Sequence, residues 1–482
     1  MLTDTDIHEL IAIVGTENVS TRGPDLEAHS VDESCIDPHL PEVVVWPSST
    51  EEVAAILRYA NARRIPVSPW SGGSSLEGNP VPVQGGILLA MYRMNRVLEV
   101  REDDLQVVVQ PGIIYDDLNK ELRHLGMFFP PAPGSADVAT IGGMVANNSS
   151  GMRAVKYGVT QDYVLKVTLV LADGRVVALG HNAKKSTSGY DLVGLIVGSE
   201  GTLGVVTEIT LRLLGLPEQV GVAVAVFDEL GQAADAIYEC VRFGLDVSAI
   251  ELLDAATVHV TNVQQGLSLR VTPTLFAEFH GSPTVVEEGL EFLREVCEDH
   301  GCADFQVATN PEERERLWTA RAEAHDSMKL SHPGCAMISG DVCVPISQFG
   351  KMIAFAAGAS ERFGLQIYAF GHAGDGNLHT EIIVHREDAD EMERGTRAGQ
   401  EIVNYALGLG GTIAGEHGVG YLKRQFMRQE HGAAVELMRG IKALFDPNGI
   451  MNPGKVLPES TRVPPESTRV PPEGNPALPS EE

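Results

Sequence analysis

The chain of 482 residues has few cysteines, few basic side chains and no long apolar run. Its six cysteines are scattered without a C-x-x-C pair, so we expect all of them to be reduced. Lysine and arginine total 36 against 66 aspartates and glutamates, and this net charge of −30 argues against binding nucleic acid. No apolar stretch reaches the roughly 18 residues that span a bilayer, and the N-terminus lacks a signal-peptide pattern. We expect a soluble, cytoplasmic protein, with a peripheral place at a membrane as the alternative.

Glycine, in contrast, is abundant and clustered. The 50 glycines concentrate in residues 71–78, 134–158, 198–204, 371–376 and 408–420. Glycine is favoured where the backbone turns sharply or approaches a ligand closely. We therefore expect the chemistry of the protein at these five places.

Between the clusters, strand and helix patterns alternate. Residues 41–47 read as a strand, and residues 50–63 read as a helix that begins with a cap at Thr50. A turn signal, Asp173 followed by Gly174, predicts a hairpin after the strand at residues 165–171. Longer helices and strands begin near Val220, so we place a domain boundary at residues 215–220.

The C-terminal tail has a different composition. Residues 457–463 and 464–470 are a near-perfect heptapeptide repeat, and residues 458–482 contain seven prolines with almost nothing to bury. Such a segment cannot offset its ordering entropy, so we predict that it is disordered.

Three of the glycine clusters are rich in small and hydroxyl-bearing residues. Residues 66–80 read P-V-S-P-W-S-G-G-S-S-L-E-G-N-P, a strand entering a loop whose N–H groups can converge on an anion. They match neither the Rossmann nor the Walker pattern. Residues 133–158 carry only two basic side chains, and residues 198–207 read G-S-E-G-T-L-G-V-V-T. Taken singly, each segment fits a tightly packed loop better than a cofactor site.

Together, the three segments resemble the FAD-binding domain of the vanillyl-alcohol oxidase and p-cresol methylhydroxylase (PCMH) superfamily, over roughly residues 38–214. The resemblance implies an α+β protein with a PCMH-type FAD-binding domain and an α+β cap domain built on an antiparallel sheet. Some members attach the flavin through a histidine in an S-G-G-H loop. Ser74 occupies that position here, so we expect non-covalent FAD. The residues implied to contact FAD are Ser71, Gly72, Gly73, Ser74, Ser75, Gly134, Ser135, Thr140, Gly142, Gly143, Asn147, Ser150, Gly151, Gly201, Gly204 and Val205.

The last two clusters contain side chains suited to catalysis. Residues 365–379 read L-Q-I-Y-A-F-G-H-A-G-D-G-N-L-H, and a strand–turn–strand there would bring His372 and His379 to one end of a sheet. Two histidines with a carboxylate are a common metal set, although two ordinary polar residues beside a turn are the alternative. Residues 408–420 place Glu416 and His417 side by side in a glycine-rich loop.

The motifs G-H-A-G-D-G-N-L-H and G-E-H-G-V-G, with D-P-N-G-I-M-N-P-G-K at residues 446–455, resemble the D-2-hydroxy-acid dehydrogenase branch of the superfamily. The resemblance covers nearly the whole chain apart from the tail. It implies that His372, His379 and Glu416 bind a divalent metal, zinc or alternatively iron or manganese, with Asp375 as another candidate ligand. It also implies that His417 is the base that removes the hydroxyl proton while hydride passes to flavin N5.

Two further features concern the substrate. Trp318 and Arg321 match a W-x-x-R setting in which relatives bind the substrate carboxylate. Relatives that act on hydroxyglutarate are expected to carry a lysine just before the aspartate of the strand at residues 337–345. Here that stretch is Ser339-Gly340-Asp341, which lacks a cation, and Arg314, Arg316 or His325 is the alternative source of one. We therefore expect D-lactate as the first substrate, glycolate as the second, and rejection of dicarboxylates.

Several alternatives stay open at this point. The chain could be the FAD subunit of a multi-subunit glycolate oxidase with an iron–sulfur partner, a D-2-hydroxyglutarate dehydrogenase, or a metal-dependent hydrolase without flavin. No nicotinamide fingerprint is present, so the electron acceptor is expected to be a quinone, a cytochrome, an electron-transfer flavoprotein or oxygen.

The predicted domain division has five parts. They are an N-terminal helical segment at 1–37, the FAD-binding domain at 38–217, the cap domain at 218–407, a segment at 408–457 that returns to the active site, and the tail at 458–482.

Overall fold

A computed structural model of the chain describes residues 2–459, and the tail predicted to be disordered lies outside the described residues from position 460 on. The strands are β1 Val19–Ser20, β2 Val43–Val45, β3 Val67–Trp70, β4 Ile87–Ala90, β5 Val97–Arg101, β6 Gln106–Val109, β7 Met127–Phe128, β8 Val164–Val170, β9 Val176–Gly180, β10 Val205–Arg212, β11 Leu214–Gly215, β12 Gln219–Val226, β13 Ala249–Leu253, β14 Thr274–Gly281, β15 Asp304–Val307, β16 Ala336–Cys343, β17 Ile367–Gly371 and β18 Asn377–Val384. The helices are α1 Asp4–Val14, α2 Gly23–Ala28, α3 Thr50–Arg63, α4 Tyr115–Arg123, α5 Ile141–Asn147, α6 Ala154–Tyr157, α7 Leu192–Ile196, α8 Leu230–Arg242, α9 Ala255–Gln265, α10 Pro283–Asp299, α11 Pro311–Ala322, α12 Ala324–Ser331, α13 Phe349–Ala357, α14 Ala359–Phe363, α15 Ala389–Gly408, α16 Met427–His431 and α17 Ala434–Phe445. Among the described helices, none has both the length and the apolar character to cross a bilayer.

The first part of the chain builds two larger sheets. Strands β2, β4 and β3 pair in parallel and β1 joins β2 antiparallel, which gives the order β1-β2-β4-β3. An antiparallel sheet follows, with the order β5-β6-β10-β8-β9. The hairpin predicted at Asp173 and Gly174 is present, because β8 and β9 pair across it. The segment at residues 1–37, predicted as helical, also contributes strand β1 to the first sheet.

Helix α3 shows how local sequence builds this part. Its bounds, Thr50–Arg63, are those predicted, and it buries one apolar face against the first sheet. Its cap is Ser49 and not the predicted Thr50, since Ser49 Oγ accepts a hydrogen bond from Glu52 N. Ser49 has an extended backbone, which directs its side chain toward the free N–H groups of the first turn, whereas Thr50 is already helical.

The later part of the chain builds a seven-stranded sheet in the order β15-β12-β14-β13-β17-β18-β16, with every neighbouring pair antiparallel. Side chains alternate between the two faces of a strand. On β18, Leu378 and Ile382 pack into a core covered by α8, α10, α13 and α15. His379 and Glu381 therefore lie on the opposite face. The predicted α+β fold with an antiparallel sheet is confirmed.

That opposite face contacts the first part of the chain through charged side chains. Arg153, just before α6, forms an ion pair with Glu278 on β14, with Nε 2.7 Å from Oε1. Lys156 on α6 donates a hydrogen bond to the carbonyl of His280 at 2.8 Å. These bonds join the two parts of the molecule beside the site described next.

The last described segment returns to the first sheet. A parallel bridge joins Val67 to Met451. The carboxylate of Asp446 accepts hydrogen bonds from the N–H groups of Ile450 and Met451. Helix α17 adds apolar side chains to the core of the five-stranded sheet.

Candidate active site

A cavity of about 550 Å³ opens between the first part of the chain and the polar face of the seven-stranded sheet. This volume suits a ligand site, which usually encloses about 300–1,000 Å³. All but two of the predicted cofactor-binding residues line it, namely Ser71, Gly72, Gly73, Ser74, Ser75, Gly134, Ser135, Thr140, Gly142, Gly143, Asn147, Gly201, Gly204 and Val205. The two that do not line it are Ser150 and Gly151, which donate hydrogen bonds to Glu416 Oε2 instead. They therefore hold a predicted metal ligand, and their contact with the cofactor stays a prediction.

The loop after β3 has the features of an anion cradle. Within residues 2–459, the backbone N–H groups of Gly72, Gly73 and Ser74 make no hydrogen bond. Successive free N–H groups of this kind can bind a pyrophosphate. A Cβ on Gly72 would lie 2.5 Å from the Val138 carbonyl oxygen, and Gly73 has φ +73° with the Trp70 ring against it. The loop therefore needs glycine, and its residues fit the diphosphate of FAD.

Three predicted metal ligands converge in the same cavity. His372 Nε2 lies 3.1 Å from Glu416 Oε1 and 3.2 Å from His379 Nε2, and His379 Nε2 lies 3.4 Å from Glu416 Oε1. Donor atoms that share one ion at about 2.0–2.2 Å lie roughly 3–3.5 Å apart. These residues therefore fit a divalent cation, and zinc, iron and manganese all accept two imidazoles and a carboxylate.

The β17–β18 hairpin and the loop after α15 bring these ligands together. His372 directly follows β17, His379 lies on β18, and Glu416 enters from the loop. On β13, Glu251 Oε1 lies 2.8 Å from His372 Nδ1, which leaves Nε2 for an ion. A carboxylate behind a ligating histidine fixes its tautomer and orientation. Asp375 lies in the hairpin turn, and among the described residues it does not belong to this ligand group.

The protonation states of the cluster respond to burial and to neighbouring charges. Burial raises the pKa of Glu416, but His372 and His379 outweigh it and hold that pKa well below its usual range. Burial lowers the pKa of His379 and so favours the neutral imidazole that metals bind. For His372, the lowering by burial is exceeded by Glu251 and Glu416, which raise the pKa well above its usual value. A cation would compete with the proton on His372.

Asp341 holds the loop that carries Glu416 and His417. It is fully buried on β16, and its Oδ2 accepts hydrogen bonds at 2.8–3.0 Å from the backbone N–H groups of residues 415–417. Burial raises the pKa of Asp341, but His417 and Lys423 outweigh it and lower that pKa far below the usual range. The ionised carboxylate thus fixes the direction in which the two neighbouring side chains leave the loop.

The ring of His417 borders the cavity next to the cluster. It stacks on the ring of His379, with centroids 5.1 Å apart. Its Nδ1 is buried, 3.8 Å from Glu77 Oε1, so the edge that carries Nε2 faces the cavity. Burial lowers the pKa of His417, but Asp341 outweighs it and raises that pKa. The arrangement provides a basic ring nitrogen beside the metal ligands.

Arg321 lies in the cavity wall near the end of α11. Its buried guanidinium pairs with Glu251, and it lies 5.2 Å from the centre of the Phe370 ring. Because Glu251 also contacts His372, one acid links Arg321 to the metal ligands. The role of Arg321 in binding a substrate carboxylate stays a prediction.

A second polar group borders the cavity beyond His379. Glu381, two residues further along β18, is buried and lines the cavity together with His325. Glu381 Oε2 accepts a hydrogen bond from Ser339 Oγ at 2.8 Å, and Oε1 lies 3.0 Å from His325 Nδ1. Burial lowers the pKa of His325, but Glu381 outweighs it and raises that pKa. Ser339, noted for its lack of charge, is therefore bonded to an acid.

Comparison with known proteins identifies the family. Residues 41–180 match the family described as "FAD binding domain", and residues 216–456 match "FAD linked oxidases, C-terminal domain". The chain belongs to the FAD-linked oxidase family. It is 40% identical over 450 residues to "Probable D-lactate dehydrogenase, mitochondrial" of Danio rerio, covering 92% of this chain and 90% of that protein. It is 35% identical over 465 residues to "Glycolate oxidase subunit GlcD" of Bacillus subtilis (strain 168), covering 96% and 98%.

The predicted fold of this FAD-linked oxidase and its predicted use of FAD are confirmed. The structure of p-cresol methylhydroxylase with substrate bound has a TM-score of 0.78 at 17% identity, covering 93% of this chain and 96% of that one. At this identity the likeness shows the PCMH-type fold alone. The family match shows FAD binding, which leaves no ground for a flavin-free hydrolase.

Sequence reasoning missed several polar residues of this FAD-linked oxidase. Glu251 was not identified, although a single acid inside the apolar strand A-I-E-L-L is a signal that it needs a buried partner. Asp341 was noted, but not its three bonds to the loop at residues 415–417. Glu381 follows His379 at the two-residue spacing of a strand face, which could have placed it beside the site. The partner of each lies far away in the sequence.

Proposed function

We propose that this FAD-linked oxidase converts a small D-2-hydroxy monocarboxylic acid to the 2-oxo acid, with D-lactate first and glycolate second. Relatives named D-lactate dehydrogenase and glycolate oxidase subunit support this reaction class. One observation carries the proposal: His372, His379, Glu416 and His417 line the same cavity as the FAD-binding segments. A substrate held at the cluster would therefore lie beside the flavin.

The proposed proton transfer uses residues of the loop and the cluster. His372, His379 and Glu416 would hold a divalent metal, which polarises the hydroxyl of a chelating 2-hydroxy acid and lowers its pKa. His417 Nε2 receives the hydroxyl proton. The glycine-rich segments that line the cavity would hold FAD, which would supply the acceptor for the hydride on the substrate Cα. Asp341 keeps His417 aimed at the substrate through its bonds to the backbone of residues 415–417.

The proposed substrate carboxylate lies against Arg321. A planar guanidinium matches a carboxylate with two parallel hydrogen bonds. Glu251 already holds the guanidinium of Arg321, so the side chain is oriented before a substrate arrives. A second carboxylate would meet Ser339 instead of a cation, and His325 beside it is already paired with the buried Glu381. The cost of an unpaired buried charge supports rejection of D-2-hydroxyglutarate.

A second candidate is the FAD subunit of a glycolate oxidase assembly. The relative named glycolate oxidase subunit, matched over 98% of its length, supports this candidate. In that case the chain works with an iron–sulfur partner. In either case the acceptor of the electrons is a quinone, a cytochrome, an electron-transfer flavoprotein or oxygen, and the protein is cytoplasmic or peripheral at a membrane. Co-purification with an iron–sulfur protein from the native host favours the assembly.

Anaerobic flavin reduction tests the proposed function. Purified holoenzyme is mixed with D-lactate, L-lactate, glycolate or D-2-hydroxyglutarate, and loss of flavin absorbance is followed. We expect fast bleaching by D-lactate, slower bleaching by glycolate and little by L-lactate or D-2-hydroxyglutarate. One methyl group discriminates by only about 1–3 kcal/mol, so lactate and glycolate should overlap. If none of the D-2-hydroxy acids bleaches the flavin, the proposed function is wrong.

A further inference from the structure

The cavity wall beyond the metal ligands is an acid–imidazole pair and not an apolar surface. His325 and Glu381 both line the cavity, with His325 Nδ1 3.0 Å from Glu381 Oε1. Ser339 Oγ supports the other carboxylate oxygen at 2.8 Å. The proposed chemistry uses neither His325 nor Glu381. A buried carboxylate that borders a substrate cavity therefore needs a separate explanation.

Strand geometry places this wall within reach of a small substrate. Glu381 follows His379 by two residues on β18, so their side chains lie on one face about 6.5–7 Å apart. Under the proposed function, a 2-hydroxy acid at the cluster would place its carboxylate against Arg321 and turn the hydrogen on C2 toward the flavin. His325 and Glu381 line the same cavity as Arg321 and the cluster, so they are available to the remaining substituent on C2.

His325 and Glu381 can each form further hydrogen bonds with a ligand in the cavity. A carboxylate offers about four lone-pair sites, and Glu381 uses one on each oxygen, toward Ser339 and His325. His325 Nε2 makes no hydrogen bond with any residue of the described chain. A hydroxyl group can donate to the carboxylate and bond to the imidazole. A methyl group can do neither, and a second carboxylate would face the negative charge of Glu381.

We infer that His325 and Glu381 form the subsite for the substrate side chain and that they favour D-2-hydroxy acids with a hydroxyl group on C3, as in D-glycerate. The inference rests on the proposed function and sharpens its substrate class. With this subsite, D-glycerate ranks ahead of D-lactate. D-lactate keeps its place ahead of glycolate, although its methyl group makes no hydrogen bond with His325 or Glu381. Since a site built to bond a hydroxyl discriminates strongly against analogues without one, we expect kcat/KM for D-glycerate to exceed that for D-lactate about tenfold or more.

The experiment measures kcat/KM for D-glycerate and for D-lactate in steady-state turnover with an artificial dye as electron acceptor, for the holoenzyme and for three variants. Glu381→Leu removes the acceptor, and the ratio of the two kcat/KM values should fall to one or below. Glu381→Gln keeps the size and an amide oxygen, so the ratio should fall to an intermediate value. Glu291→Gln makes the same change on the exposed surface of α10, where the side chain is 65% exposed, and should keep the wild-type ratio.

Two results would overturn the inference. One is a wild-type ratio at or below one; the other is a ratio in Glu381→Leu that equals the wild-type ratio. If D-lactate still reduces the flavin in those experiments, the proposed function stands without this subsite. If neither acid reduces the flavin, the proposed function and the inference both fail. If Glu381→Leu misfolds and loses its flavin spectrum, the inference is tested by the ratio in the wild type and by the ratio in Glu381→Gln. A Glu381→Gln ratio equal to the wild-type ratio then overturns it.

Discussion

The two oxygens of the Glu416 carboxylate have different neighbours. Oε1 lies 3.1 Å from His372 Nε2 and 3.4 Å from His379 Nε2, whereas Oε2 accepts hydrogen bonds from Ser150 and Gly151. One oxygen is thus available to a cation while the other is tied to the FAD-binding part of the chain. A single residue therefore links the proposed metal to the flavin-binding segment.

Replacing Glu416 by Gln should remove the metal and the activity. The amide keeps the size of the side chain but loses the negative charge that a divalent cation needs. We expect metal content, measured by mass spectrometry of the purified protein, to fall at least about tenfold, while the flavin spectrum stays intact. Asp375→Asn is the matched control and should keep its metal. Loss of metal from the control but not from Glu416→Gln would show that the ligand set is wrong.

Replacing His417 by Asn should slow the chemical step. Loss of a general base typically costs about 10²-fold or more in rate, so flavin reduction in a stopped-flow experiment should slow by at least that factor. Substrate affinity should change less, because the cluster and Arg321 are intact. His385→Asn, at the end of the same hairpin with its side chain 66% exposed, serves as the control. Normal flavin reduction in His417→Asn would assign the proton transfer to another group.

Among the elements, β18 shows how one strand organises the site. Its alternation buries Leu378 and Ile382 in the helix-covered core and turns His379 and Glu381 toward the cavity. The register with β16 places Asp341 opposite His379 and Ser339 opposite Glu381. A shift of this register by one residue would exchange the two faces and move His379 and Glu381 out of the cavity together.

The loop after β3 leads to a prediction about the flavin. Ser74 stands at the position where some superfamily members carry the histidine that bonds to the flavin, and a hydroxyl does not replace that imidazole. We expect FAD to be bound without a covalent link. Acid precipitation of the purified protein should release all the yellow colour into the supernatant. Colour that stays with the denatured pellet would mean that another residue forms the bond.

At the scale of the whole molecule, the active site depends on two parts of the chain staying in contact. Arg153 and Glu278 form a largely buried ion pair across this contact, with the side chains 23% and 5% exposed. Burial raises the pKa of Glu278, but Arg153 outweighs it and the pKa falls to about 2. Since the pKa is lower in the folded protein than the ordinary value, the ionised carboxylate stabilises the folded protein at neutral pH.

Replacing Glu278 by Gln should therefore destabilise the protein at pH 7. Removing one partner of a buried pair leaves a buried charge unpaired, which costs about 3–5 kcal/mol. We expect a lower urea midpoint for Glu278→Gln, and the difference from the wild type should fade as the pH falls from about 4.5 toward 2, where the wild-type carboxylate takes up its proton.

The control for this prediction is the exposed pair Arg175–Asp173, in which the side chains are 70% and 41% exposed. Asp173→Asn should lower the free energy of unfolding by about 1 kcal/mol or less, because solvent screens such a pair. Equal shifts in Glu278→Gln and Asp173→Asn would show that the contact between the two parts does not rely on the buried pair.

The sequence by itself determined the features that depend on short spacings. The bounds of α3, the hairpin at Asp173 and Gly174, and the neighbouring histidines of the β17–β18 hairpin follow from local hydrogen bonding and from the two-residue and 3.6-residue periods. The glycine-rich segments around the cavity could be recognised in the same way, because each is a continuous stretch with its own backbone requirements. The cap of α3 was misplaced by one residue, from Ser49 to Thr50, since both hydroxyls fit the pattern and only the backbone conformation separates them.

Only the tertiary structure decided which charged groups meet. His372 lies 121 residues from Glu251 in the sequence and 2.8 Å from it in space. Glu381 and His325 are 56 residues apart, and they meet because α12 packs beside the face of β18 that turns toward the cavity. Such pairs depend on strand order and register, which the burial of all the strands determines together, so no local pattern encodes them. For this reason the histidine hairpin and the glycine-rich segments could be predicted from the sequence, whereas the positions of Glu251, Asp341 and Glu381 beside them could not.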